Sequence, residues 1–163
     1  MDIHGQRGIT LGLVAGCAQA GLDWTPDPDV WSAGEILHHV AITEAQIARV
    51  IKRLATGRGF PAGRAPEPGQ FRPDGRPIAP RSTWPERGLL KERLLGLLAE
   101  FQAALEGAWR AYEAAGPPDL TFPHPFFGDL RARSWLKTQA GHERHHRAQI
   151  ERLRSREGFP ADG

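Results

Sequence analysis

His142 and His146 lie four residues apart in the run Gly141-His142-Glu143-Arg144-His145-His146-Arg147-Ala148-Gln149. On an α-helix, residues at that spacing stack on one face, so both imidazoles aim at a common point. That is half of a nitrogen-ligated metal clamp. The best third ligand is His39, about a hundred residues upstream. Three neutral imidazoles match a catalytic zinc site, leave one or two positions for water or substrate, and let the metal lower the pKa of bound water towards about 7. Imidazole suits zinc, nickel, iron and copper comparably, so the pattern specifies a divalent cation without its identity.

Helical phase selects these histidines from their neighbours. In a last helix over about Arg131 to Glu157, a step of about 100° per residue aligns Trp135, Gln139, His142, His146, Gln149 and Leu153 on one face. His145 falls a quarter-turn away. A second helix, about Ala33 to Leu54, opens with Ser32 and Glu35 in capping-box spacing, with Trp31 as a hydrophobic staple. Its core stripe reads Ile36, Val40, Thr43, Ile47, Val50 and Leu54; His39 borders that stripe, whereas His38 points nearly opposite. An apolar interior that receives three imidazoles and two glutamines carries costly unsatisfied polar groups unless a cation organises them. Gln149 or Glu143 is then placed for an outer role, fixing a ring tautomer or receiving a proton.

Two further helices must complete the frame. The first spans about Gln6 to Ala20, with Ile9, Leu13 and Cys17 on one stripe. The third spans about Glu86 to Ala115, with Leu90, Leu94, Leu97, Leu98, Phe101, Leu105 and Tyr112 inward. Between helices two and three, Thr56 to Pro85 holds seven prolines from Pro61 onward, which no helix accommodates, so this segment reads as a long Pro/Gly-rich crossover. A short Pro/Phe loop, Pro117 to Gly128, leads into the last helix. No segment alternates as a strand does. The expected class is all-α, a four-helix bundle formed by a single domain over residues 1–163.

Composition narrows the function classes. With 163 residues, 40% hydrophobic, 25% charged and a formal net charge of +2, the chain reads as globular and without the concentrated positive face of a specific nucleic-acid binder. Nothing approaches the ~20 apolar residues of a membrane span. Cys17 is the only cysteine, which precludes an intrachain disulfide and fits a reducing, cytoplasmic setting. The segment Leu13-Val14-Ala15-Gly16-Cys17 after Arg7 has the outline of a bacterial lipoprotein signal. Against that reading, Asp2 offsets the leading charge, and Gly8, Gly12 and Gly16 dilute the apolar stretch.

Two motif readings compete with the three-histidine centre. His142-Glu143-Arg144-His145-His146 satisfies the H-E-x-x-H pattern of zinc proteases, but there is no strand for a peptide substrate to pair with. Glu35 to His38 and Glu143 to His146 are both E-x-x-H, as in di-iron bundles, but the first helix contributes no glutamate and Glu35 is better spent on its cap.

The segment Trp31-Ser32-Ala33-Gly34-Glu35-Ile36-Leu37-His38-His39, the loop Phe122-Pro123-His124-Pro125-Phe126-Phe127-Gly128, and the run His142 to Gln149 together resemble the DinB-like superfamily over essentially the whole chain. In that family a histidine eight residues after the tryptophan pairs with an H-x-x-x-H-x-x-Q helix; the matching positions are His39, His142, His146 and Gln149. The resemblance implies an up-down-down-up bundle, a zinc, nickel or iron-like divalent cation on the three histidines, and homodimerisation through helix faces. It also implies a small-molecule substrate, since relatives include bacillithiol transferases and mycothiol-dependent maleylpyruvate isomerases, in which the metal activates a low-molecular-weight thiol. The family name records induction by DNA damage, a stress response. His124 is a further catalytic candidate if its loop lies over the metal as an acid or substrate contact; the alternative is a ring packed on Phe126 or Phe127. Two non-catalytic readings stand beside the enzyme. One is a metal that only staples the bundle; the other is a stress-linked binding module whose Arg64, Arg72, Arg76 and Arg81 form one basic surface.

Overall fold

A computed structural model of the protein describes residues 3–57 and 68–160. Four long helices dominate it. The first, α1 (Ile3–Ala15), ends before the expected Ala20, and a turn through Gly16 separates it from the short α2 (Gln19–Asp23). Glycine there removes helix propensity, and the chain turns. Of the expected apolar stripe, Cys17 is buried and Leu13 packs against the core, but Ile9 does not face inward. Ile9 is 54% exposed, and the buried residues are Arg7, Thr10, Val14 and Cys17. They recur at helical spacing, but two of them are polar and so escape a search for hydrophobic periodicity.

The helix that supplies His39 is α3 (Ala33–Ala55). Its start is fixed by the expected capping box: the Glu35 N–H donates to Ser32 Oγ at 3.2 Å, and the Ser32 N–H donates to Glu35 Oε2 at 2.9 Å. Gly34 lies where a Cβ would stand 3.0 Å from the Leu22 carbonyl oxygen and 3.4 Å from Leu94, so the missing side chain lets α2 and the next helix close on this first turn.

The crossover is not without structure. Within its described part, Gln70–Phe71 (β1) pairs antiparallel with Pro77–Ile78 (β2), and a single 3-10 turn follows at Arg81–Thr83. Arg64 lies outside the described residues. Of the other arginines named for a basic surface, Arg76 is paired with Asp74, and Arg81 sits over the Trp84 ring with its guanidinium carbon 5.7 Å from the centroid. The next helix, α4 (Lys91–Ala115), begins five residues later than Glu86. Residues ahead of it pass over α3, where the Glu86 N–H donates to His38 Nδ1 at 2.9 Å. Gly116 then closes α4 in the left-handed conformation.

The Pro/Phe loop is a hairpin, which corrects the expectation of no strands. Thr121–His124 (β3) pairs with Gly128–Arg131 (β4) across the three-residue loop 125–127, and Gly128 opens β4 at φ +68°. With four residues per strand and Pro123 inside one of them, no alternation was available to read. The last helix, α5 (Ala132–Arg154), starts at the end of β4.

Two apolar clusters fix the helix directions. One joins Val14 of α1, Ile36, Leu37 and Val40 of α3, Leu94 and Leu98 of α4, and Ile150 and Leu153 of α5. The other joins Ile47 and Ile51 of α3, Leu105 and Ala108 of α4, and Trp135 and Leu136 of α5. Early α3 therefore meets early α4 but late α5 and late α1, which is the up-down-down-up arrangement. Among the described residues no helix is long and apolar enough to cross a membrane.

Candidate metal centre

Between the two apolar clusters the interior turns polar. His39 from α3 and His142 and His146 from α5 bring their ring nitrogens to within 4.8 Å of one another. The Nε2 of His142 lies 3.1 Å from that of His39 and 3.0 Å from that of His146. Rings as well as atoms converge, with centroids 4.3–5.0 Å apart.

Hydrogen bonds on the far side of two rings decide which nitrogens carry protons. His39 donates from Nδ1 to the Thr83 carbonyl at 2.7 Å, and His146 donates from Nδ1 to Gln149 Oε1 at 2.7 Å. The Gln149 amide is oriented by its other end, because its Nε2 donates to His145 Nε2 at 3.1 Å. Both rings are thus held with a bare lone pair on Nε2. His142 has no such partner; its Nδ1 is buried and unbonded. Either Nε2–H of His142 bonds one neighbour and strands Nδ1, or Nδ1 carries the proton and three lone pairs face each other.

A cation bound by the three Nε2 atoms would resolve that conflict. Tetrahedral coordination at the zinc–imidazole bond length requires nitrogens about 3.3 Å apart, and two of the three separations lie within a few tenths of it. Burial, together with mutual repulsion, also keeps the rings neutral. It lowers the His39 pKa, lowers that of His142 well below the ordinary value, and pushes His146 down to about 3. Neutral imidazoles are the ligand form, so the donor set fits a divalent cation without prior deprotonation.

The sequence around each ligand has a positioning task. Trp31 packs against the His39 ring at 5.0 Å, which explains a tryptophan eight residues before it. His38 does face away from the centre, but it is buried there under the segment that carries Glu86. His145 is exposed, with its ring edge-on to His146 at 5.2 Å and its Nε2 accepting from Gln149. Glu35, the di-iron candidate, spends its carboxylate on the cap and on Arg87 at 3.1 Å.

Glu143 is placed elsewhere than its immediate neighbour suggests. Consecutive helical residues are about 100° apart, so it turns from the histidines towards α1. There both carboxylate oxygens meet buried Arg7, at 3.0 and 3.3 Å, while Arg7 also donates to Glu44 at 2.7 Å and to the Leu98 carbonyl at 2.7 Å. His124 ends β3, half-buried, with its ring stacked on Phe127 and 4.7 Å from Trp135. Its Nδ1 accepts the Phe126 N–H, which leaves Nε2–H as the donor. It stands near enough to His142 for its charge to depress that ring further.

Thr83, Arg7 and Glu44 carry no motif. Thr83 acts through its backbone carbonyl, for which any residue type would serve. Arg7 and Glu44 are single charges on otherwise ordinary helices.

A family model described as the DinB superfamily matches residues 2–150. Among solved structures, the chain is similar to TT2238, described as a four-helix bundle protein, with 26% sequence identity and a TM-score of 0.64 over 91% of this chain and 92% of that one. None of the curated proteins compared with the chain matches it.

Proposed function

The chain belongs to the DinB superfamily, and from that premise and its converging imidazoles we propose that it is a divalent-metal-dependent enzyme acting on a small molecule. The observation that carries the reading is the pair of fixed tautomers: His39 and His146 are each held by a carbonyl so that Nε2 lone pairs meet at His142. A divalent cation there supplies the Lewis acidity that makes a water molecule or a low-molecular-weight thiol nucleophilic near neutral pH. Zinc, nickel and iron all suit three imidazoles.

The chain's own residues do the rest. His39, His142 and His146 bind; Thr83 and Gln149 hold two of the rings in register. His124 offers Nε2–H as a hydrogen-bond donor to a substrate or leaving group from the β3–β4 side. Glu143, committed to Arg7, contributes a buried charge that ties α5 to α1 rather than a proton acceptor. The protein acts in the cytoplasm, as a homodimer, without a specific nucleic-acid partner.

The test is a conjugation assay. Protein loaded with zinc, nickel or iron is incubated with a panel of cofactor thiols and small electrophiles, beside His146→Ala and His124→Ala. Turnover that needs the cation, vanishes in His146→Ala and falls in His124→Ala with the cation retained supports the reading. A loaded protein inert towards every thiol and towards hydrolysable esters and amides favours a cation that only staples the bundle.

A further inference from the structure

Each of two ligand histidines leans on a carbonyl through Nδ1, and the third does not. Among the described residues four further buried side-chain polar atoms have no partner: the Oε1 and Nε2 of Gln139, the Oγ1 of Thr43, and the Oε1 of Glu44, whose other oxygen accepts from Arg7. Gln139 is wholly buried. A fully enclosed primary amide bonded to nothing is rare, because its donors and acceptor have lost water without compensation.

Helical spacing groups four of the five orphaned atoms, those of His142, Gln139 and Thr43. Gln139 precedes His142 by three residues on α5, a spacing that makes helical neighbours, and it mirrors Gln149, which follows His146 by three and accepts its Nδ1–H. Thr43 follows His39 by four on α3. Since α3 and α5 are antiparallel, with Ile47 beside Trp135 and Leu136, stepping from His39 to Thr43 and from His142 to Gln139 moves the same way along the bundle. Thr43 and Gln139 therefore share the layer beneath the three imidazoles.

We propose that Gln139 is the positioning residue of His142: its Oε1 accepts the His142 Nδ1–H when Nε2 binds the cation, and its Nε2 donates across the bundle to Thr43 Oγ1. The assignment rests on the three-histidine reading. It gives each of these four atoms a partner and every ligand ring a carbonyl. Hydrogen bonding at Nδ1 raises ligand basicity and fixes ring orientation, so its loss weakens metal binding about 10–100-fold.

Zinc affinity is measured by competition with a chromophoric chelator, and the imidazole N–H resonances of the zinc-loaded, nitrogen-15-labelled protein are followed in parallel. Gln139→Leu is expected to lose about 10–100-fold in affinity and to lose the slowly exchanging Nδ1–H resonance of His142, while those of His39 and His146 persist. Gln139→Glu, which keeps an acceptor and guards against a misfolded leucine variant, is expected to keep that resonance and move it downfield. Unchanged affinity and resonances in Gln139→Leu, or an unmoved resonance in Gln139→Glu, overturn the assignment and leave the three-histidine reading intact. A wild-type protein that binds no zinc, nickel or iron overturns both.

Discussion

Replacing Arg7 by methionine removes the cation that, among the described residues, pairs with two buried carboxylates. Arg7, Glu44 and Glu143 are 2%, 0% and 1% exposed, and the guanidinium bonds both acids and the Leu98 carbonyl. Breaking a buried pair by removing one partner typically costs about 3–5 kcal/mol, a large share of the roughly 5–15 kcal/mol that holds a domain together. The loss must also depend on pH. Burial raises the Glu44 pKa from its ordinary 4.5 to about 6, even though the Arg7 charge pulls it down; Glu143 and Glu106 add repulsion. A carboxyl whose folded pKa lies above its unfolded value contributes stability that is fully present below pH 4.5 and lost as pH rises through about 6, here about 2 kcal/mol. Without Arg7 the folded pKa climbs further, so the variant's deficit is larger at pH 7.5 than at pH 5. Urea unfolding followed by circular dichroism, with chelator present, measures both. A deficit under about 1 kcal/mol at pH 7.5, or an equal deficit at the two pH values, refutes the reasoning.

Other perturbations follow from single contacts. Ser32→Ala removes the acceptor of the Glu35 N–H, and urea unfolding should register a loss of about 1 kcal/mol. Gly34→Ala forces a Cβ to 3.0 Å from the Leu22 carbonyl, so the same experiment should show about 1–3 kcal/mol of overpacking cost; an unchanged midpoint would contradict the close approach. Zinc at a hundredfold excess over its dissociation constant should stabilise the protein by about 2.7 kcal/mol, and chelator should reverse it. In calorimetry His39→Ala should show no zinc-induced rise in melting temperature.

The sequence disclosed the site better than it disclosed the site's supports. Helical phase placed His39, His142 and His146 on facing stripes, because a strong period survives in a single sequence whenever one face is buried. The capping box at Ser32 was legible for the same reason: side chains of definite type at definite spacing perform it. The remaining supports work through the backbone or through isolated residues. The Thr83 carbonyl leaves no trace in residue type, and the β3–β4 hairpin is too short and too proline-rich to alternate. On the α1 stripe Leu13 and Cys17 do meet the core, but the inward positions also include Arg7 and Thr10, which hydrophobic periodicity cannot reveal, and Ile9 is apolar but exposed. Glu143 shows the limit of motif reading: in the pattern H-E-x-x-H it looks catalytic, while its carboxylate is tied to Arg7.

The central claim is that one cation is shared by three imidazoles from α3 and α5. Elemental analysis of the purified protein, beside single alanine variants of His38, His39, His142, His145 and His146, tests it most directly. The account predicts one divalent metal per chain in the wild type, His38→Ala and His145→Ala, and its loss in the other three. Metal retained by His39→Ala, or stripped by His38→Ala or His145→Ala alone, would contradict it.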